Sequence, residues 1–215
     1  MLIVGAKGFA KEILEVLYQL KSHKNVVFYD DVNIDSPDKL YGEFEILKSI
    51  EEAKLFFKDN EPIFTIGVGN PFLRKKLYDK FISIGGKFNS TISPLSSIGH
   101  FGNTISDGCN IMTGTRITND VKLGKGALIN LNCTIGHDSI IGEFVEMSPG
   151  VNVSGNCIIG NYCVLGTNAT ILPKITIGTN VIIGAGSVVI KDVPDNSLVV
   201  GVPAVFKKEL KPLLF

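Results

Sequence analysis

The chain of 215 residues contains three histidines, and one of them, His137, stands where an imidazole can do chemistry. Asp138 follows it directly, and a carboxylate beside an imidazole fixes the ring's tautomer while stabilising its protonated form. Gly155 stands eighteen residues further on. In a chain that coils with an eighteen-residue turn, that spacing sets a glycine N–H beside the imidazole on the next coil. A general base and an oxyanion donor on one ridge are the two parts that acyl transfer requires. Two plainer readings stay open: His137 as an ordinary outward side chain, and Asp138 as a residue chosen for its backbone angle. His23, in a polar stretch expected to be exposed, and His100, in a Gly-rich loop, are expected to be inert.

The eighteen-residue turn comes from a repeat. Every sixth residue from Ile105 to Val189 is Ile, Leu, Val or Met, fifteen positions without exception, an outcome expected by chance at roughly 10⁻⁸. Taking that residue as position one, position four is Gly, Asn or Asp in twelve of fifteen cases, the residues that best tolerate left-handed backbone angles. Position five is small or β-branched almost throughout, as suits short strands. Such units cannot bury their aliphatic residue alone and must stack, each coil pairing with those above and below. Three six-residue sides close a triangular parallel β-coil of about four to five turns. His137 falls at position three, a corner, and should point outward.

The first ninety residues follow another pattern. Residues 2–5 read as a buried strand, followed by the loop Gly5-Ala6-Lys7-Gly8-Phe9-Ala10 and a helix through Ile13, Leu14, Leu17 and Leu20. A strand over residues 26–29 ends in Asp30-Asp31, a helix is expected over 46–58, a strand over 63–68 ends in Gly69-Asn70, and a helix covers 71–84. This alternation predicts a small α/β domain, a Rossmann-like parallel sheet, over residues 1–90, with ligands beyond the carboxyl ends of its strands. The repeat domain then occupies 91–215, with the register broken at Asp195-Asn196 and the tail capping the last coil. Lys7 stands where a dinucleotide fingerprint has its second glycine, which argues against NAD. The loop can still hold a phosphate on the helix N-terminus, and Asp30 or Asp31 can accept from a ribose or base. A tight turn with solvated acids is the alternative.

Acidic and basic residues balance at 21 each, so no nucleic-acid partner is expected. All four cysteines fall on position five of the repeat, and need neither disulfides nor zinc. No signal peptide and no membrane span is expected, and a reducing cytoplasm is the expected setting.

The segments Ile135-Gly136-His137-Asp138, Ser148-Pro149-Gly150, Ser154-Gly155-Asn156 and Gly201-Val202-Pro203-Ala204, with the first-domain stretches from Gly5 to Glu12, Asp30-Asp31 and Gly69-Asn70, resemble one group. It is the sialic acid O-acetyltransferase and nucleotide-amino-sugar N-acetyltransferase (NeuD/PglD-like) family of hexapeptide-repeat acyltransferases. The resemblance spans nearly the whole chain and implies a left-handed β-helix; handedness rests on it alone. It further implies a homotrimer with acetyl-CoA in grooves between neighbouring helices, His137 as general base, Asp138 raising its basicity and the Gly155 N–H binding the thioester oxygen. Coenzyme-contacting positions map onto Glu146, Gly155, Thr167 and Ala185, and substrate positions onto Lys7, Gly8, Phe9, Asp30, Asp31 and Gly69. Relatives often carry His where Phe9 and Glu146 stand. Phe9 is then a stacking surface or core, and Glu146 orients an amine or bridges subunits.

The expected reaction is N-acetylation of an amino group on a nucleotide-linked deoxy sugar by direct attack on the thioester. O-acetylation of a sugar hydroxyl is the close alternative, and a trimeric scaffold without catalysis is the other class. A metal hydratase would need several histidines meeting at one site; only His137 lies in the regular coils, so no metal is expected.

Overall fold

Leu2–Val4 (β1) is almost wholly buried, as a strand must be when both its faces are covered by helices. The computed structural model, which describes residues 1–33 and 37–213, continues with α1 (Gly8–Gln19), β2 (Val27–Tyr29), β3 (Lys39–Leu40), β4 (Phe44–Leu47), α2 (Ile50–Asp59), β5 (Ile63–Ile66), α3 (Pro71–Ser83) and β6 (Lys87–Phe88). The sheet order is β3-β4-β2-β1-β5-β6, parallel except where β3 meets β4. Ile3 packs with Ile13, Leu17 and Phe28 on one side, while Leu2 and Val4 pack with Phe57, Phe64 and Phe81 on the other.

One expected helix starts later than the periodicity suggests. Residues 44–47 form β4, paired with β2, and the helix begins only after Ser49, whose hydroxyl accepts from the Glu52 N–H. The Glu52 carboxylate in turn accepts from the Lys48 N–H at 2.6 Å. This reciprocal cap fixes the start at Ile50, and the apolar run before it joins the sheet.

From Thr91 the chain winds into three parallel sheets of two-residue strands. One face runs from Thr91–Ile92 through Glu146–Met147 to Ile182–Ile183, the second from Ser97–Ile98 through Thr134–Ile135 to Val188–Val189, the third from Thr104–Ile105 through Ile140–Ile141 to Thr176–Ile177. The position-one residues form the buried column. Position five differs from expectation: its residues lie just before each strand, at the bend, with side chains buried among that column. All four cysteine thiols there are free and donate to carbonyl oxygens, for example Cys163 Sγ to Gly178 O at 2.9 Å. Burial pushes Cys109 and Cys133 up to about 11 and Cys163 to about 12.

The corners explain position four. Its residues from Gly108 to Gly186 all have positive φ, including the three that are not Gly, Asn or Asp: Phe144 (51°), Tyr162 (58°) and Lys174 (66°). Two of these exceptions have a packing reason. The Phe144 ring lies over Gly126, Tyr162 stacks on it at 5.9 Å, and Tyr78 of α3 seats against it. That aromatic ladder helps to dock the first ninety residues on the coil.

The coil is longer than the strict period shows. Ile92 and Ile98 pair nineteen residues back from Ile111 and Ile117, one more than the regular eighteen. At the far end Val193 and Val199 pair sixteen residues after Ile177 and Ile183. The register therefore shifts before Val193, ahead of the expected break at Asp195-Asn196. Ser197–Gly201 then extends the first face, and Ala204–Glu209 covers its edge antiparallel; residues 214–215 of the expected cap lie outside the described residues.

Candidate active site

His137 projects from the corner between the second and third faces, its side chain 63% exposed. The left-handed turn at Asp138 (φ 59°) brings that carboxylate back to the ring, with Oδ2 2.7 Å from His137 Nδ1. Nδ1 is thus occupied, and among the described residues no hydrogen bond engages Nε2. On the next coil, a methyl group built on Gly155 would sit 2.7 Å from Nε2, so the imidazole lies against a surface that only glycine leaves open. Among the described residues the Gly155 N–H has no hydrogen-bond acceptor, whereas the next N–H along, that of Asn156, donates to His137 O at 2.8 Å. One corner therefore brings together an oriented imidazole and an unused backbone donor. Because the dyad is more than half exposed, the ion pair alone stabilises little; its electrostatics strengthen only once water is excluded.

The residues expected to hold substrate share one cavity of about 580 Å³ beyond the carboxyl ends of β1, β2 and β5, lined by Lys7, Gly8, Phe9, Asp30, Asp31 and Gly69. Gly5 (φ 111°) turns the chain away from β1 where a side chain would strike Gly67 O. Phe9 lines the cavity and also packs partly against Val16, Met112 and Leu128. Asp30 is largely taken up by its own loop: Oδ1 accepts from the N–H groups of Val32 and Asn33, and both oxygens from the Asn33 amide. Asp31 Oδ2 accepts from Lys80 Nζ at 2.6 Å and Tyr29 OH at 2.8 Å. Burial raises the Asp31 carboxyl, but these hydrogen bonds outweigh it and hold it below the usual carboxylate range. Lys76 and Tyr29 also line this cavity; neither stands out in the sequence, Lys76 being one cation among several on α3.

The three coenzyme positions other than Gly155 separate. Thr167 and Ala185 are exposed and stacked on the corner between the first and second faces, with Gly186 N–H donating to Thr167 O at 2.8 Å. Glu146 lies on the first face beneath the α/β layer, its Oε1 3.2 Å from where a Gly69 Cβ would stand. Burial raises its carboxyl above the usual range, against the pull of Arg74. Arg74, invisible as a special residue in the sequence, is fully buried between the two parts of the chain. Its five N–H groups go to the carbonyls of Gly126, Ile66 and Val68 and to Asn110 Oδ1, at 2.8–3.2 Å. Burial lowers the guanidinium to about 10, leaving it charged at neutral pH.

The other two histidines stand apart from these groups. His100 is exposed. His23 is half-buried, against expectation, its ring packed on Tyr18 at 4.6 Å and its Nδ1 buried without a partner. No helix of the described residues is long and apolar enough to cross a membrane, and no group of three His, Cys, Asp or Glu that could hold a metal occurs among them.

Residues 1–81 match the family model of the PglD N-terminal domain, and residues 156–191 that of the bacterial transferase hexapeptide (six repeats). No curated protein matches by sequence. Among solved structures, a mutant of perosamine N-acetyltransferase from Caulobacter crescentus, in complex with CoA and GDP-perosamine, is 27% identical with a TM-score of 0.90, covering 97% of this chain and 96% of that one. The acetyltransferase domain of PglB from Neisseria gonorrhoeae, in complex with acetyl coenzyme A, is 28% identical with a TM-score of 0.85, covering 96% and 98%. WeeI from Acinetobacter baumannii is 28% identical with a TM-score of 0.86, over the same shares. The stacked coils are thus a left-handed β-helix, and the chain is an acyltransferase that joins a PglD-type N-terminal domain to hexapeptide repeats, as in NeuD/PglD-like proteins.

Proposed function

We propose that the protein transfers the acetyl group of acetyl-CoA to the amino group of a nucleotide-linked amino-deoxy sugar. One observation carries the reading: at one corner an imidazole has Nδ1 held by Asp138 and Nε2 against Gly155, whose N–H is unused. His137 Nε2 takes a proton from the attacking amine as the C–N bond forms. Asp138 stabilises the resulting imidazolium, which returns the proton to the sulfur as the C–S bond breaks. The Gly155 N–H donates to the carbonyl oxygen while it carries negative charge. The four thiols are buried and raised well above neutral pH, in keeping with direct transfer without an acyl-enzyme. Similar structures hold CoA with GDP-perosamine, or acetyl coenzyme A, which supports both ligand classes.

The chain divides in this reading at about residue 90. Residues 1–90 hold the nucleotide in the cavity, with phosphates toward the N-terminus of α1 at Lys7 and Gly8, and residues 91–215 carry out the transfer. Within one chain the cavity borders the first face, whereas His137 stands on the opposite corner. In this reading a sugar held there meets the His137 of a neighbouring copy, and the homotrimer that the family resemblance implies would run acetyl-CoA along Thr167 and Ala185 between copies. The expected setting is the cytoplasm. Thiol release from acetyl-CoA with UDP-, dTDP- and GDP-amino sugars tests the reading, with light scattering for the oligomer. Release with at least one amine and a mass of three chains are expected; neither release nor acetyl-CoA binding would leave a scaffold.

A further inference from the structure

Thr65 of β5, Arg74 of α3, and Thr91 and Asn110 of the coil are polar side chains buried together where the first ninety residues rest on the coil. The Arg74 fork spans that junction. On one side Nη1 donates to Ile66 O and Val68 O, both at 2.9 Å. On the other, Nη2 donates to Asn110 Oδ1 at 2.8 Å, and Nε and Nη2 donate to Gly126 O at 3.2 and 3.0 Å. The Asn110 amide continues the link to Thr65 Oγ1 at 3.0 Å. Among the described residues no carboxylate pairs with the guanidinium within 4.0 Å. A buried cation without an anion adds little stability, since well-packed apolar residues often do as well. What the planar fork supplies is direction: five donors in a rigid geometry set angle and register. The hydrophobic attraction between Tyr78 and Phe144 across the same junction is non-directional.

The carbonyls that Arg74 holds belong to the end of β5 and the loop after it, where Gly67, Val68 and Gly69 line the 580 Å³ cavity. Arg74 itself does not line the cavity, and β1 also holds this wall, with the Gly67 N–H donating to Val4 O at 2.8 Å. We infer that Arg74 is a positioning residue that fixes the nucleotide cavity to the coil, so that a bound nucleotide presents its sugar amine to the reacting imidazole in one geometry. The inference rests on the proposed acetyl transfer and deepens it. Binding energy from a remote part of the substrate speeds the reaction only if it holds the reacting atoms in place. A loose junction would let the nucleotide bind equally well while the amine wanders. Arg74 therefore acts on turnover and not on affinity.

The test is Arg74→Met, which keeps most of the side chain's length and none of its donors, in the thiol-release assay with whichever nucleotide amino sugar the unaltered protein acetylates. A misplacement of about 1 Å costs on the order of 10²-fold, so kcat should fall by roughly 10–100-fold. Calorimetric affinities for the bare nucleoside diphosphate and for acetyl-CoA should stay within about threefold. Asn110→Ala, which removes one acceptor on the coil side, should lower kcat by roughly 3–10-fold and serves if Arg74→Met does not fold. Phe57→Leu, a lesion in the core of the first ninety residues, controls for lost stability: Tm falls and kcat stays within about twofold. Unchanged kcat in the folded variant, a nucleotide affinity that falls as far as turnover, or an equal loss of turnover in Phe57→Leu overturns the inference. If the unaltered protein acetylates no amino sugar, the proposed function has failed; if it does and Arg74→Met matches it, only the positioning role has.

Discussion

Replacing Gly155 with Ala separates the position of the base from the presence of the oxyanion donor, because alanine keeps the N–H. The added methyl carbon would stand 2.7 Å from His137 Nε2, 2.8 Å from Cε1 and 3.1 Å from Cδ2. Ordinary contact needs about 3.5 Å, so the ring must retreat by roughly 0.8 Å. Its 2.7 Å hydrogen bond to Asp138 would stretch with it. Misplacing a catalytic group by about 1 Å costs on the order of 10²-fold in rate. Stability should hardly suffer, since the imidazole can swing into solvent and Gly155 has no left-handed φ to forbid a side chain. A Gly→Ala change at a compatible site even favours folding by about 0.4–1 kcal/mol, a rise in Tm of roughly 1–4 °C for a chain of this size. The expected result is thus kcat down about 100-fold with Tm unchanged or slightly higher, and no further loss when Gly155→Ala is added to His137→Ala. Full turnover in Gly155→Ala, or a loss that adds to that of His137→Ala, would refute the idea that imidazole and glycine serve one reacting carbon. Gly155→Pro complements it by removing the N–H, provided a melt shows the coil intact.

Further expectations follow from the packing. All four thiols are buried and bonded to carbonyls, so a disulfide reagent at pH 8 should label none in the native protein and four in denaturant; rapid native labelling would contradict the packed column. Lys174 holds φ 66° at a corner, and Lys174→Gly should relieve about 1 kcal/mol of left-handed strain, seen as a Tm higher by roughly 2–4 °C; a lower Tm would show that the side chain's contacts outweigh the backbone term.

The residues differ in how plainly they announce their places. A six-residue period survives any surface substitution because the inward column tolerates nothing polar, which is why Ile105 to Val189 could be read directly and why adding eighteen to 137 finds Gly155. Ile92 and Val193 belong to the same column, yet one extra residue in the first coil and two missing from the last put them out of phase. Residues 46–47 read as helix for another reason: a short apolar run suits a helix or a strand, and the Ser49–Glu52 cap starts the helix only after them. Arg74 shows the limit of reading a lone chain. Nothing distinguishes it from Lys75 and Lys76 beside it, and only the stacking of two units makes it a buried tether. Glu146 likewise gains meaning from Gly69, seventy-seven positions earlier in the chain.

The most direct test of the central claim measures turnover and coenzyme affinity together in His137→Ala. With the imidazole gone and the Gly155 N–H kept, thiol release in the presence of the best amino-sugar nucleotide should drop by at least about 10²-fold, while calorimetry returns an acetyl-CoA affinity close to that of the unaltered protein and Asp138→Asn loses less. Turnover that survives removal of the imidazole would contradict the account.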